Sequence, residues 1–405
     1  MSVVVKLNVR IMDNIYIYED EECSNFLPLV YLRPVFDLLC GIYTFRERIE
    51  RLYPNANIYP ISRFLSYQAI KQSEPKAHQP QAENKQTLFI NGRAILYSPL
   101  PDKEGVFVAQ DEVAGFKVKS EELKVKNLKV PITNKFLSIL REEFKSIKVK
   151  ATVVKYPWDL IKENGRMIIE DYKLCNSNKV TLSPPGVFLN ETEGPICISK
   201  GVKLRPPTVI DGPCYIGDFA LIDGAKIRPG TSIGKGCKIG GEVEGSIFSD
   251  YSNKHHEGFV GHSFVGEWVN LGALTTTSDL KNTYGTIKCK TRIDTDEDTD
   301  GHGKVEIDTG LMKLGSLIGD HAKTGIGTLL DTGSVIGCFA NIYGGGIFPK
   351  YIPSFSWGTK DGFTTYELEK AIEVAKKVMT RRGKELTPEY EARVRNAFQL
   401  TNNER

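Results

Sequence analysis

None of the eight cysteines, at 23, 40, 175, 197, 214, 237, 289 and 338, forms a Cys-x-x-Cys pair. No signal peptide opens the chain, so reduced thiols in a cytoplasmic protein are the expected state. No apolar run is long enough to cross a bilayer. An excess of one charge is lacking too. Lys and Arg total 53 against 50 Asp and Glu, a net charge of +3. With no dense basic stripe interleaved with aromatics, that balance argues against a nucleic-acid partner. Histidine is scarce, and three of the six fall between residues 252 and 279.

What is present divides into two kinds of sequence. The 405 residues suffice for two domains, and 40% hydrophobic with 25% charged residues is ordinary for a soluble protein. In the first half "NIYIYE" (14–19), "LFIN" (88–91), "GVFVAQ" (105–110) and "ATVVKY" (151–156) read as short strands. "GIYTFRERIERLY" (41–53) and "NKFLSILREEF" (134–144) carry apolar residues at helical spacing, and 73–86 is a polar, proline-bearing loop. Strands alternating with helices predict a largely parallel sheet with helices on its faces.

From about Pro195 the period changes to six. Ile198, Leu204, Ile210, Ile216 and Ile222 recur in step, then Ile227, Ile233 and Ile239 after a slip of one. The period returns at Phe259, Val265 and Leu271, and again at Ile318, Thr324, Leu330, Ile336, Ile342 and Phe348. Such hexads predict a parallel β-helix with inward apolar rungs and small residues at its turns. Residues 243–258 and 279–312 break the period and are expected to be expelled as loops. "TTYELEKAIEVAKKVM" (364–379) and "TPEYEARVRNAF" (387–398) predict helices, the second starting at Thr387 and Pro388, that cap the solenoid end.

"AKIRPGTSIGKGCKIG" followed by "NKHHEGFVGHSFVGEWVNLGALTTTSDLKNTYG" resembles the acetyltransferase half of the GlmU-type bifunctional enzymes, in a divergent bacterial branch of sugar nucleotidyltransferases. "FLPLVYLRPVFDLLCGI", "FINGRAIL" and "YPWDLIKEN" carry the likeness into the first half. The resemblance implies a nucleotidyltransferase-like (Rossmann-like) α/β domain over 1–190, a left-handed parallel β-helix over 195–355 and a helical tail over 356–405. It further implies acetyl-CoA and UTP as co-substrates, Mg²⁺, an amino-sugar-1-phosphate as acceptor, UDP-N-acetylglucosamine as product and a homotrimer.

By the same resemblance, His256 stands where the family has its base, fourteen positions before the asparagine of "NLGA". A neutral imidazole suits the removal of a proton from an attacking amine. Arg228 matches the arginine that holds the sugar phosphate, a task for which a planar guanidinium is well shaped. Asn270 matches a sugar contact, with a turn-asparagine ladder as an equal alternative. Phe259 replaces a tyrosine, and the lysine expected near Glu244 is absent, so Lys254 or Lys281 is assigned the missing charge. His255 and His262 are assigned supporting duty. Gly325, Gly344 and Gly345 would allow close approach of the CoA thioester.

The first half departs further, because the family's G-x-G-T-R loop is absent. Arg33 becomes the candidate nucleotide cation and Asn91 occupies the usual place of a metal-binding aspartate. Arg93 is assigned a phosphate, and Asp111 and Asp159 metal assistance, against a plain surface role. "DTDEDTDGHGKVE" (294–306) has acidic residues at EF-hand spacing, but Ile307 stands where the bidentate glutamate belongs, so a solvated loop is preferred. Two rival readings stay open: a nucleotidyltransferase with a purely oligomerising β-helix, and a non-catalytic sugar-nucleotide scaffold.

Overall fold

A computed structural model describes residues 14–64, 86–119, 131–175, 184–292 and 304–405; the polar loop up to residue 85 and most of the acidic loop lie outside them. Contacts group the chain into two compact units, Met1–Glu21 with Phe45–Val153, and Glu22–Thr44 with Val154–Arg405. Residues 22–44 and 154–175 pack with the second unit.

The first unit is built on a six-stranded sheet whose strands run 57–61, 14–18, 86–91, 112–119, 105–109 and 146–148. Its core face is aromatic: Phe89 stacks on Tyr16 at 5.2 Å and on Phe116 at 4.7 Å. The sheet is mixed, where a largely parallel one was expected. Gly105–Ala109 and Glu112–Lys119 pair antiparallel, and Gln110 and Asp111 join them with φ of 52° and 65°. Two positive-φ residues make the turn that matches strand twist in a tight hairpin. Neither residue is glycine, so the turn carried little signal in the sequence. Helix Asn134–Glu143 begins at Thr133, whose side chain accepts from the Phe136 amide.

The second unit is a parallel β-helix of three faces. Face I is an eight-stranded sheet from Ile196–Ile198 to Tyr351–Ile352. Face II runs through Lys203–Arg205, Leu221–Ile222, Lys238–Ile239, Asn253–Lys254, Asn270–Leu271, Lys323–Thr324 and Asn341–Ile342. Face III holds Thr208–Asp211, Ala225–Ile227, Gly241–Glu244, Phe259–Gly261 and, farther along, Thr276–Thr277 and Thr328–Leu330. Ile210, Ile216, Ile222, Ile227, Ile233, Ile239, Val265, Leu271, Ile318 and Ile336 fill the interior.

Two parts of the hexad reading need correction. Phe259 faces outward and Val260 inward: the step from Lys254 to Val260 is six, and the slip of one falls between Val260 and Val265. Residues 243–258 are not a loop either. Val243, Phe248 and Lys254 continue the inward column, so the 279–312 break is the excursion, pairing Lys288–Arg292 with Lys304–Asp308.

The corners differ in chemistry. Between faces I and II stand Phe219, Tyr251, Trp268, His321, Phe339 and Phe355, each with φ between 56° and 61°. Large L-residues pay for this left-handed conformation with strain. Ring stacking offsets it: Tyr251 meets Trp268 at 4.3 Å, His321 meets Phe339 at 4.5 Å, and Phe339 meets Phe355 at 5.0 Å. The other two corners are richer in glycine, although Leu274 (φ 61°) and His262 (φ 43°) also stand at them.

Helices Leu368–Thr380 and Pro388–Leu400 pack along this aromatic corner with Tyr31 and Leu32. They cover a flank of the solenoid rather than its end. Its last strand, Ser356–Thr359, is instead paired antiparallel with Gly362–Thr365, part of the stretch expected to be helical. Face I is also covered: Asn164 of helix Pro157–Tyr172 donates to the Gly230 carbonyl at 2.7 Å, and Ser232 donates to the Gly41 carbonyl at 2.7 Å. Among the described residues no helix is long and apolar enough to cross a membrane.

Candidate functional site

The corner between faces II and III is lined by glycine. A Cβ on Gly240 would collide with the His255 carbonyl, and one on Gly258 (φ +128°) with the Thr275 carbonyl. Successive corners can therefore lie in close backbone contact. His256 stands exposed on this corner, between Asn253–Lys254 and Phe259–Gly261. Gly325 and the run Gly344–Gly346, with φ of 94°, 68° and 88°, belong to the same corner two and three coils farther along. At an inter-strand spacing of about 4.8 Å, His256 and Gly344 are separated by about 14 Å along the axis.

Arg228 follows Ile227 at the opposite edge of face III. Its Nη1 donates to Asp211 at 3.2 Å and its Nε to Glu242 at 3.1 Å, with 41% of the side chain exposed. Those bonds, the one to Glu242 foremost, hold the guanidinium above its ordinary range. Glu242 is in register with Phe259, which puts Arg228, Glu242 and Phe259 on successive coils of the face that His256 borders. The two side chains thus flank one face, about 10 Å apart along the axis.

His255 is held as His256 is not. Its Nε2 lies 3.0 Å from Asp223 Oδ2, and Asp223 also accepts from Arg205 Nη1 at 3.0 Å. The hydrogen bond from His255, with Arg205 beside it, keeps the Asp223 carboxyl below the usual carboxylate range. The rings of His255 and His256 are 5.3 Å apart. A second pair, His262 Nδ1 to Asp279 Oδ2 at 2.7 Å, ties the start of the excursion to the corner near Arg228. Lys313, from the end of the excursion, reaches Glu244 at 3.0 Å.

The remaining assigned residues are dispersed. Lys254 is inside the coil, 2% exposed, and donates to the His256 carbonyl. Asn270 lies on face II, where its Oδ1 accepts from Asn253 Nδ2 at 2.7 Å, the asparagine ladder considered as its alternative. Lys281 sits in the excursion and donates to the Thr286 carbonyl. Arg33 is buried against Asp320 at 2.6 Å and Glu267 at 2.5 Å, fastening its segment to the β-helix.

In the first unit Asn91 and Arg93 do come together, around a residue that the sequence did not single out. Arg93 donates to both carboxylate oxygens of Asp20, at 2.8 and 2.6 Å, and Asn91 donates to Asp20 at 2.8 Å. All three side chains are buried. Asp111 occupies the hairpin turn, where its carbonyl accepts from Arg141 at 3.1 Å. Asp159 accepts from the Lys155 and Tyr156 amides at 2.8 and 3.0 Å and so caps its own helix. No group of three or more metal-ligating side chains gathers among the described residues. Asp20 and Asp223 were missed because each becomes meaningful only once strand pairing brings it to a partner distant in sequence.

Residues 15–180 match the sugar nucleotidyl transferase family. Over 112 residues the chain is 35% identical to a bifunctional sugar-1-phosphate nucleotidylyltransferase/acetyltransferase of Sulfurisphaera tokodaii, a match spanning 27% of this chain and 25% of that protein. Solved structures similar to it include the acetyltransferase domain of PglB from Neisseria gonorrhoeae, at 12% identity and a TM-score of 0.23, covering 69% of this chain and 86% of that domain. Another is the Arabidopsis UDP-N-acetylglucosamine acyltransferase, at 12% identity and a TM-score of 0.17, covering 54% and 90%. The β-helix assignment rests on the strand register itself.

Proposed function

We propose that the chain is a bifunctional sugar-1-phosphate transferase. Its β-helix would move acetyl from acetyl-CoA to the amine of glucosamine-1-phosphate, and its α/β domain would transfer uridylyl from UTP to the product's phosphate, releasing pyrophosphate and giving UDP-N-acetylglucosamine. The observation that carries the acyl-transfer half is His256, exposed on a glycine-lined corner, with Arg228 across the same face. In this reading Arg228 grips the sugar phosphate through charge-assisted bonds. His256 accepts the proton as the amine nitrogen attacks the thioester carbonyl. The tetrahedral intermediate then collapses, the C–S bond breaks, and the imidazolium returns the proton to the departing thiolate. Assembly as a homotrimer is part of the same proposal and follows from the family resemblance.

The nucleotidyl half is supported by the family match over 15–180 rather than by Asn91 and Arg93, which Asp20 engages. A second reading of the acyl site has its own support: His255, oriented by Asp223, has the carboxylate-bound geometry of a general base. A coupled assay with glucosamine-1-phosphate, acetyl-CoA and UTP, following CoA and pyrophosphate release, tests both halves. Release of CoA only with the amino sugar present supports acetyl transfer; pyrophosphate alone leaves a nucleotidyltransferase on an oligomerising β-helix.

A further inference from the structure

Lys254 breaks the pattern of the solenoid interior. In its inward column Ile222 pairs with Ile239, Ile239 with Lys254, and after Leu271 come Thr324 and Ile342. A lysine in this slot takes a charge out of water, which is unfavourable unless a partner is at hand. The partner is the backbone carbonyl of His256, two residues on, which the ammonium bonds at the base of the corner.

The neighbouring coil passes close to that ammonium and to the Gly258 carbonyl. Gly241, at φ +68°, would place a Cβ 2.8 Å from Lys254 Nζ, so a side chain there would press on the group. Above, Gly258 lies against the Thr275 carbonyl. Burial pushes the Lys254 pKa down to about 8, against the pull of Glu257, the charged group acting on it. The coils above and below present Leu271 and Ile239. With 2% of its surface exposed, Lys254 is poorly placed to hold a substrate phosphate.

We infer that Lys254 is a positioning residue for acetyl transfer: its buried ammonium, bonded to the His256 carbonyl, fixes the corner that presents the imidazole. The inference rests on the reading of His256 as the base. Its distinguishing property is that removing the charge relieves the fold while loosening the site.

The test is steady-state acetyl transfer by the full chain, read as thiol release, for Lys254→Met, Lys254→Gln, His256→Ala and the Lys254→Met/His256→Ala pair, each with its melting temperature. Expected is a kcat at least tenfold down in Lys254→Met, KM for acetyl-CoA within about twofold, and melting at or above wild type. Lys254→Gln, which keeps a donor, should recover part of kcat, and the double variant should be no slower than His256→Ala alone. A Lys254→Met enzyme within twofold of wild-type kcat overturns the inference. So does loss of activity and melting temperature together in both Lys254 variants, which makes the residue structural only. A fully active His256→Ala enzyme removes the base assignment itself, visible without any Lys254 variant.

Discussion

His255 Nε2 lies 3.0 Å from Asp223 Oδ2, although 32 residues of chain separate them. The two meet because residue 223 ends a face II strand and residue 255 follows another two coils later, with Gly240 between them carrying no side chain to intervene. The pair anchors one side of the corner on which His256 stands, while Lys254 holds it from within.

Asp223→Asn tests that anchor. The Asp223 pKa is depressed in the folded state, so its contribution to stability is present above the ordinary carboxylate value near 4 and is lost as pH falls through the folded value. The side chain is partly exposed, which keeps the effect small. Thermal melting should show the variant lower by about 1–2 °C at pH 7, with the two curves converging below about pH 4.

Lys254→Met should show the opposite behaviour. The folded pKa of Lys254 is about 8 against an ordinary 10.5, so between those values the unfolded chain binds more protons and wild-type stability rises with pH. The variant should therefore be more stable at pH 7, by up to about 3 kcal/mol from the shift alone. Denaturant titrations at pH 7 and pH 10 should find that advantage mostly gone at the higher pH.

Gly258→Ala should damage fold and site together. The residue sits at φ +128° against the Thr275 carbonyl, where a methyl group has no room. A cost of about 2 kcal/mol or more is expected from strain at such a position. Denaturant midpoints and acetyl-transfer rates should fall in the same variant.

Arg228→Ala should act on binding. Loss of a charge-assisted phosphate contact is expected to raise KM for the sugar phosphate by about 10- to 100-fold, with a smaller change in kcat. Arg228→Lys should recover little, since one ammonium cannot engage Asp211, Glu242 and a phosphate as the guanidinium fork can. Initial-rate kinetics with the sugar phosphate varied decide it.

Much of this architecture was legible because apolar rungs repeat. Ile210, Ile216, Ile222 and Ile227 declare the β-helix, and Thr387 with Pro388 marks the start of the last helix. The period failed at Lys254 for a physical reason: a charge fills an apolar slot, so residues 243–258 read as a loop although the coil runs on. Phe259 misled in the complementary way, since an aromatic residue can lie on an outer face. The hairpin at Gln110 and Asp111 hid the antiparallel half of the first sheet because the turn lacks the glycine that usually marks one. Asp20 could not be found from spacing at all, since its bonds to Arg93 and Asn91 arise from neighbouring strands.

The most direct measurement compares acetyl-CoA-dependent acetylation of glucosamine-1-phosphate by His256→Ala and His255→Ala, each confirmed folded by its melting curve. If His256 is the base, its alanine variant loses about 100-fold or more in kcat while His255→Ala loses less than about tenfold. Wild-type turnover by His256→Ala, or the larger loss in His255→Ala, contradicts the account.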